Sequence, residues 1–535
     1  MGDQPGIKHS VKRILGEYKY LGIFGLLFGI ILYSLLMTHG LTNTFDGLWH
    51  QNYHRAGSGE LSSGRWLLVY LDKLVMGNHA DPMISLLTLG LYVIGFVLVA
   101  DLFRLKHRVG QYLCMALFLS STVICITLSY RYTALGYGLA YFFAVLSIYI
   151  MIRARRHGYG ICIGGIFLGL TMACYQAYLA VFCIVAVMYW ILLCKERAVK
   201  PHETSPKAFG SYLGRILVGF CVGMVFYYGV LHLCLRLHGV SLSSYNGVGQ
   251  ISLGTLLSDL PHNIMKTYRY FYGYFFMNGL KINSLQSVGV FYLPVALVVG
   301  LTAWILCRGW KTNKKGLLFL LPAVVAIPVA CNAYMLLAGD KLEMQMTAGL
   351  AMLAPLILLL GFSCLEGKSR VRYLLVAFCL VLTYGSAMQV WLDQEAMYEG
   401  QNACDTMMTQ VVSDLAREDL LSAEYEYFFV GVPADNDLFA VSEIYGGANA
   451  YARLGDFWVS GGCGQASYRG LINGRMGLDL PIPPVSYEEI AGRTDVSAMA
   501  VFPYDGYITL ADEKTVVIKI SEYKPYAGTS KYVFD

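Results

Sequence analysis

Long apolar stretches separated by short polar segments dominate residues 1–392 of the chain. A transmembrane helix needs roughly 20 mostly apolar residues to cross ~30 Å of hydrocarbon. Eleven stretches fit this requirement, so the pattern predicts an α-helical polytopic membrane protein with about 11 transmembrane helices. The predicted spans are 20–38, 82–103, 111–129, 133–151, 159–174, 177–194, 211–235, 286–307, 316–337, 345–365 and 372–391.

The fifth and sixth spans belong to one apolar run that is interrupted at 175–178 by the sequence Tyr-Gln-Ala-Tyr. We interpret the interruption as a tight turn between two short helices. A polar side chain in such an apolar setting is costly, and it is a functional candidate by default. Gln176 is therefore a candidate site residue.

The pattern changes after residue 392, where helix-like and strand-like segments alternate. The pattern predicts helices at 393–421 and 486–490, and strands at 425–432, 498–502 and 516–520. Alternation of this kind is typical of a small α/β domain. We therefore divide the chain into a transmembrane module, 1–392, and a C-terminal α/β domain, 393–535.

The composition excludes several classes of protein. The 535 residues are 56% hydrophobic and only 14% charged, with a mean hydropathy of +0.52. Soluble proteins contain about 25% charged residues. A soluble enzyme, a disordered protein and a nucleic-acid-binding protein are therefore excluded, and the expected surroundings are membrane lipid.

Charge is distributed unevenly along the chain. The net charge of +5 combines +18 in residues 1–392 with −13 in residues 393–535. With the N-terminus in the cytoplasm, the inner segments hold 22 Lys and Arg residues and the outer loops hold nine. Because cytoplasmic loops are enriched in Lys and Arg, we predict a cytoplasmic N-terminus. An odd number of spans then makes the C-terminal domain extracytoplasmic.

Two outer segments, 39–81 and 236–285, are long, whereas every other connection is short. Loops carry a large share of functional residues, so we expect the protein to work on its outer face. A carboxylate that removes a proton from a substrate hydroxyl must then come from the outer acids of the membrane module. These are Asp46, Glu60, Asp72, Asp81, Asp259, Asp340 and Glu343.

Asp46 is the leading candidate for this base. Thr44 could cap a short helix here, and a helix would place Asp46, His50 and His54 on one face. Trp49 would then rest among the lipid headgroups. The alternatives are a capping or solvated carboxylate, or a metal site. No fourth ligand is evident, so no metal is predicted.

Glu60 is the second candidate, in a glycine-containing bend at 57–61. For Asp72 we favour a structural role, in which it pairs with Lys73 or faces water. Asp81 precedes a proline and is expected to begin the second span.

A phosphate group in the substrate would need cations. Arg65 is favoured, because Gly64 lets the backbone approach closely and a guanidinium binds phosphate through two parallel donors. Contacts with lipid headgroups or ion pairs are the alternative for each cation. The other candidates are Arg131, Lys266, Arg269 and Lys341.

Aromatic side chains on the outer face could stack on a sugar ring, although anchoring at the membrane interface explains most such residues equally well. The C-terminal domain holds two cysteines, Cys404 and Cys463, which could form a disulfide or remain thiols. The candidate sugar or acceptor contacts are Trp49, His50, Trp66, Tyr175 and Gln176.

These features together resemble the bacterial serotype-converting (Gtr-type) O-antigen glucosyltransferases, a branch of the GT-C membrane glycosyltransferases. The resemblance covers the membrane part of the chain, together with the extracytoplasmic position of the C-terminal region. The motifs that carry it are Phe-Asp-Gly-Leu-Trp at 45–49, Ser-Gly-Arg-Trp at 63–66 and Ala-Cys-Tyr-Gln-Ala-Tyr at 173–178.

The resemblance implies a glycosyltransferase of the bacterial cytoplasmic membrane. It would take a sugar, by resemblance glucose, from a polyprenyl-phosphate donor on the outer face and move it to a cell-surface polysaccharide. The lipid-linked sugar is a substrate, and no cofactor is implied. Asp46 corresponds to the acidic residue of the family's first outer loop. The family often pairs two acids, whereas Asp46 is followed by Gly47, so a second acid must come from Glu60 or elsewhere.

Two other functions are compatible with the pattern. A transporter or flippase of lipid-linked saccharides would carry charges within its spans and broken helices in repeated halves. Nearly every charge here lies in a loop, and no internal repeat is evident. A sensor whose outer domain binds glycan would not need eleven spans.

Overall fold

The structure is a computed structural model of the chain. The residues that it describes are 7–50, 53–153, 158–199, 206–243, 253–276, 296, 299–300, 302–307, 319–337, 342–364, 369–439, 442–455, 461–485 and 488–524.

The described part of the chain is mostly helical, as the apolar pattern predicts. The helices up to residue 417 are α1 Ile7–Leu32, α2 Ser34–His39, α3 Phe45–His50, α4 Ser58–Ser62, α5 Trp66–Leu74, α6 Met83–Phe103, α7 Arg108–Leu119, α8 Thr122–Ser129, α9 Arg131–Arg153, α10 Gly158–Cys174, α11 Leu179–Val199, α12 Pro206–His238, α13 Leu253–Phe276, α14 Leu320–Val325, α15 Ile327–Cys331, α16 Ala348–Cys364 and α17 Ser369–Arg417.

Within the described residues, six helices are long and apolar enough to cross a membrane, or seven when α7 and α8 count as one bent span. Three shorter apolar helices accompany them: α10, the pair α14–α15, and α16. These helices are those of a membrane protein. The predicted number of eleven stays a prediction, because most of the stretch 286–307 lies outside the described residues.

Two predicted spans are interrupted. The stretch 111–129 is divided into α7 and α8, which meet at 48°. The side chain of Ser121 accepts a hydrogen bond from the Val123 amide and so begins a new helix. The stretch 316–337 is likewise divided, into α14, α15 and a 3₁₀ turn at Ala333–Leu336. Pro322 and Pro328 both lie in it, and proline cannot donate a backbone hydrogen bond.

The predicted break at 175–178 is confirmed. Helix α10 ends at Cys174, Tyr175 adopts an extended backbone, and Gln176–Tyr178 forms a 3₁₀ turn before α11. The turn packs against the 3₁₀ segment Ala333–Leu336.

The C-terminal part begins without a break, because α17 continues through residue 392. A three-stranded sheet follows in the order β1-β3-β2, with β1 parallel and β2 antiparallel to β3. Cys404 and Cys463 are not joined by a disulfide. The elements are β1 Glu426–Val430, α18 Glu443–Gly447, α19 Gly461–Arg469, a π-helical turn Gly470–Arg475, α20 Glu488–Ala491, α21 Thr494–Ser497, β2 Ile508–Leu510 and β3 Thr515–Lys519.

The strand predicted at 498–502 is wrong. The short helix α21 occupies the residues immediately before it, and Pro503 follows, which lacks the amide needed to continue a ladder. The strand is at Ile508–Leu510 instead. The predicted strands at 425–432 and 516–520 correspond to β1 and β3.

Side chains of α17 hold the segment that leads from α1 to α3. Gln394 accepts a hydrogen bond from the Leu36 amide and donates to the Leu32 carbonyl oxygen. Gln401 donates to the Thr42 carbonyl oxygen over 2.8 Å. Asn43 donates to the Ala452 carbonyl oxygen over 2.8 Å. The C-terminal part thus fixes the entry to the first loop.

Candidate active site

The loop between the first two spans folds into three short helices, α3, α4 and α5. Helix α3 begins after Thr44, whose hydroxyl accepts a 3.4 Å hydrogen bond from the Gly47 amide. Helix α4 begins with the Glu60 carboxylate accepting a 2.8 Å hydrogen bond from the Gly57 amide. Helices α3 and α5 pack against α9, and α4 packs against α12. The loop therefore packs on these two membrane helices.

Asp46 lies half-buried in the first turn of α3. Burial raises the pKa of Asp46 to about 6, while the charge of Arg65 lowers the pKa, that of Glu60 raises it and that of His54 lowers it. A carboxylate with a pKa close to neutrality is well suited to accept a proton in a reaction. Asp46, Arg65, Glu60 and His54 thus form one electrostatically connected group.

Gly47 occupies the position where a paired acid would follow Asp46. A Cβ atom at this position would collide with the Thr42 side chain and lie 3.0 Å from the carbonyl oxygen of Ser129. Helix α3 can approach the end of α8 this closely only with glycine there. A second acid directly after Asp46 would not fit.

The helix that would carry Asp46, His50 and His54 on one face is not formed, because α3 ends at His50. The backbone of His54 pairs across the loop instead, with its amide donating to the Gly77 carbonyl oxygen over 3.0 Å. The two imidazoles nevertheless meet, with ring centroids 3.8 Å apart. Tyr132 packs against both rings, at centroid distances of 4.6 and 4.7 Å.

Glu60 pairs with His54. The distance between Glu60 Oε1 and His54 Nε2 is 2.9 Å. Burial of Glu60 opposes ionisation, but the hydrogen bonds from His54 and the Gly57 amide outweigh it and lower the pKa of Glu60 to about 2. Glu60 therefore stays ionised, and its two oxygens each have a partner. It is a weaker base than Asp46.

The guanidinium of Arg65 lies over the ring of Tyr175, with Cζ 4.6 Å from the ring centroid. This arrangement joins two predicted site residues that are far apart in sequence. The contact has the geometry of a cation–π interaction, which orients the planar guanidinium.

Gln176 holds the segment that precedes Arg65. Its amide nitrogen donates to the Ser63 carbonyl oxygen over 2.7 Å and lies 3.1 Å from the hydroxyl of Tyr227. Tyr227 in turn donates to the carbonyl oxygen of Gly64 over 3.0 Å. Gly64 has φ +81°, and a Cβ atom there would lie 2.5 Å from the Tyr227 hydroxyl, so the position requires glycine.

The remaining candidate cations lie in different places. Arg131 is buried at the start of α9, and its charge acts on His79 and Asp81. Lys266 and Arg269 lie on α13, where Arg269 is exposed. Lys341 lies outside the described residues. The charge of Arg65, by contrast, acts on Asp46.

The two candidate tryptophans differ in exposure. Trp49 is 40% exposed and stacks on His50, with ring centroids 5.0 Å apart. Trp66 is buried at the start of α5, where its ring packs edge-on against Phe226. Trp49 is thus the more accessible of the two to a sugar.

Tyr227 belongs to this site although the sequence does not predict it. It lies in the middle of α12, and nothing in its local sequence distinguishes it from the other tyrosines of the spans. Within the described residues, no group of three or more His, Cys, Asp and Glu side chains is arranged to hold a metal ion. The absence of a metal remains a prediction.

Comparison with known families matches residues 49–360 to the family described as Glucosyl transferase GtrII. The match covers more than half of the chain and includes Glu60, Arg65 and Gln176, whereas Asp46 lies just before its first residue. Searches of the curated proteins and of the solved structures gave no match.

Proposed function

Because the chain belongs to the GtrII family of glucosyltransferases, we propose that it moves glucose from a polyprenyl-phosphate donor to a cell-surface polysaccharide. The reaction takes place on the outer face of the bacterial cytoplasmic membrane, in a GT-C-type membrane module. The lipid-linked glucose is a substrate, and no cofactor or metal takes part.

The observation that carries this proposal is the grouping of Asp46 with Arg65. A half-buried carboxylate with a pKa near 6 lies within electrostatic reach of a guanidinium that is oriented on Tyr175. Transfer of a sugar from a phosphate requires a base for the acceptor hydroxyl and a cation for the departing phosphate. The pair supplies both groups.

We assign each residue one role in a single displacement. Asp46 takes the proton from the acceptor hydroxyl while the oxygen of that hydroxyl forms a bond to C1 of glucose. The bond between C1 and the phosphate oxygen breaks, its electron pair remains on the phosphate, and Arg65 stabilises that charge. Glu60 keeps His54 in place against His50, on the helix that carries Asp46, and Trp49 offers a ring face to the sugar. The product bond has the inverted anomeric configuration.

The distribution of Lys and Arg supports the proposed orientation. The inner segments hold 22 of these residues and the outer loops nine, which favours a cytoplasmic N-terminus. In this orientation the first loop and the C-terminal part lie outside the cytoplasm. The same side holds the polysaccharides of the cell surface.

The decisive experiment is product analysis with the purified full chain in lipid vesicles. Polyprenyl-phosphate glucose and an acceptor polysaccharide are expected to give a new glycosidic bond, whereas matched mannose and galactose donors give less product. A protein that only moves the lipid-linked sugar across the bilayer, without forming a bond, would be a flippase. That outcome would overturn the proposed reaction.

The rate of transfer should depend on pH in a way set by Asp46. Burial raises the pKa of Asp46 to about 6, and only the ionised form accepts a proton. Activity is therefore expected to fall as the pH drops through about 6 and to level off above it. Initial rates at limiting acceptor concentration, measured across this pH range, give the acid limb of the profile. Because Arg65 lowers the pKa of Asp46, the limb should move to higher pH in Arg65→Ala.

A pH profile that is flat between about pH 5 and 8 would contradict the assignment of Asp46 as the base. A limb that is unchanged in Asp46→Asn would contradict it as well, because the titrating group would then be another residue.

A further inference from the structure

Another carboxylate and another imidazole lie against the segment that carries His54, and the proposed reaction does not use them. Asp72 on α5 and His79 before α6 are only 5% and 1% exposed. Asp72 Oδ1 lies 3.5 Å from His79 Nε2. The sequence predicts that Asp72 pairs with Lys73 or faces water, whereas in the structure its side chain points into the loop.

Both side chains contact the backbone of the segment that carries His54. Asp72 Oδ2 accepts a 2.7 Å hydrogen bond from the Ala56 amide. His79 Nε2 lies 3.2 Å from the carbonyl oxygen of His54. A carbonyl oxygen can only accept a hydrogen bond, so Nε2 of His79 carries the hydrogen.

The charge state of the pair is set by its surroundings. Burial lowers the pKa of His79 to about 4, against a smaller opposing effect of its bond to the His54 carbonyl, so the ring is neutral near pH 7. Burial raises the pKa of Asp72 to about 6, while the Ala56 amide and the charge of His54 lower it and Glu60 raises it. Arg131 also acts on His79.

The segment is held on several sides. Tyr53 pairs with Asn78 in an isolated bridge, and the His54 amide donates to Gly77. With the His79 and Asp72 contacts added, both the His54 carbonyl and the Ala56 amide are fixed. Burying a polar side chain such as that of Asp72 or His79 is costly unless the side chain is hydrogen-bonded. The hydrogen bonds to the backbone at 54–56 therefore offset part of the cost of burying these two side chains.

We propose that Asp72 and His79 are positioning residues of the transfer reaction, which fix the backbone at 54–56 and thereby hold the His54–Glu60 pair against His50, on the helix that carries Asp46. The inference rests on the proposed function of Asp46. A displacement of about 1 Å in an active site can reduce the rate by about 100-fold, so the contribution of such a scaffold is measurable.

The test compares disruptive and conservative variants of the full chain in vesicles. Asp72→Ala and His79→Ala are expected to lower kcat by about 10- to 100-fold with little change in the donor KM. Asp72→Asn keeps an oxygen that accepts the Ala56 hydrogen bond, and His79→Gln keeps a donor near the position of Nε2, so both should stay close to wild type. Lys73→Ala, on the exposed face of the same helix, is the matched control.

A second readout does not depend on activity. The rate at which diethyl pyrocarbonate modifies His54, followed by mass spectrometry, should rise in Asp72→Ala and His79→Ala but stay near wild type in the conservative variants and the control. Equal modification rates in all variants would overturn the positioning role, and so would equal losses of kcat in Asp72→Ala and Asp72→Asn. A wild-type chain that transfers no glucose would overturn the proposed function, while the modification rates would still test the scaffold.

Discussion

The substitution Asp46→Asn is expected to lower the kcat of glucose transfer by about 10²–10⁴-fold, the usual contribution of general base catalysis. The amide has nearly the same shape as the carboxylate but cannot accept the proton of the acceptor hydroxyl. Donor affinity should change little, because Arg65 and Tyr175 are left in place. Initial rates with the purified variant in vesicles measure the effect.

The matched control for this variant is Asp259→Asn. Asp259 is also a carboxylate of the predicted outer face, but it is exposed on α13 and bonds to Ser258. The Asp259→Asn variant should retain full activity. Glu60→Gln should cost less than Asp46→Asn, because both oxygens of Glu60 are occupied by His54 and Gly57. Wild-type rates from a correctly inserted Asp46→Asn protein would refute the proposed mechanism.

The second large effect is expected at Arg65. Arg65→Ala should lower kcat/KM for the donor by about 10- to 100-fold, since a charged hydrogen bond contributes about 1.5–3 kcal/mol. The loss should be greatest at low donor concentration, where binding of the phosphate limits the rate. Arg65→Lys should recover only part of it, because an ammonium lacks the planar pair of donors.

Arg55 offers a matched control for Arg65. It lies over the ring of Tyr53, with Cζ 5.6 Å from the centroid, so it makes the same kind of contact elsewhere in the loop. Arg55→Ala should leave the donor kinetics unchanged. Unchanged kinetics in Arg65→Ala as well would remove Arg65 from the site.

The part of the fold that follows from hydropathy alone could be predicted. Helices α6, α9 and α11 correspond closely to predicted spans, because an apolar stretch of this length has one favourable structure in lipid. The bend between α7 and α8 could not, since it depends on where Ser121 caps a helix within an apolar run. The prediction of a strand at 498–502 was wrong because a short apolar segment does not reveal which backbone groups it will pair with.

The candidate site could be predicted only in part. A short list of outer acids nominates Asp46 and Glu60, and the guanidinium that follows Gly64 nominates Arg65. The contact of Arg65 with Tyr175 could not be derived, because it depends on how two distant parts of the chain pack. The same holds for Asp72, whose partner, the amide of Ala56, has no signature in the sequence.

The packing of the C-terminal part on α3 has a consequence for synthesis of the protein. The backbone of Gly470 lies directly against the carbonyl group of Leu48, and Gln394, Gln401 and Asn43 make the neighbouring contacts. Gln394, Gln401 and Gly470 follow the Asp46 loop at a great distance in the chain, so the ribosome makes the supporting surface well after the loop. A nascent chain therefore carries Asp46 and Arg65 before the surface that holds the loop exists, and we expect glucose transfer only after that surface has been made.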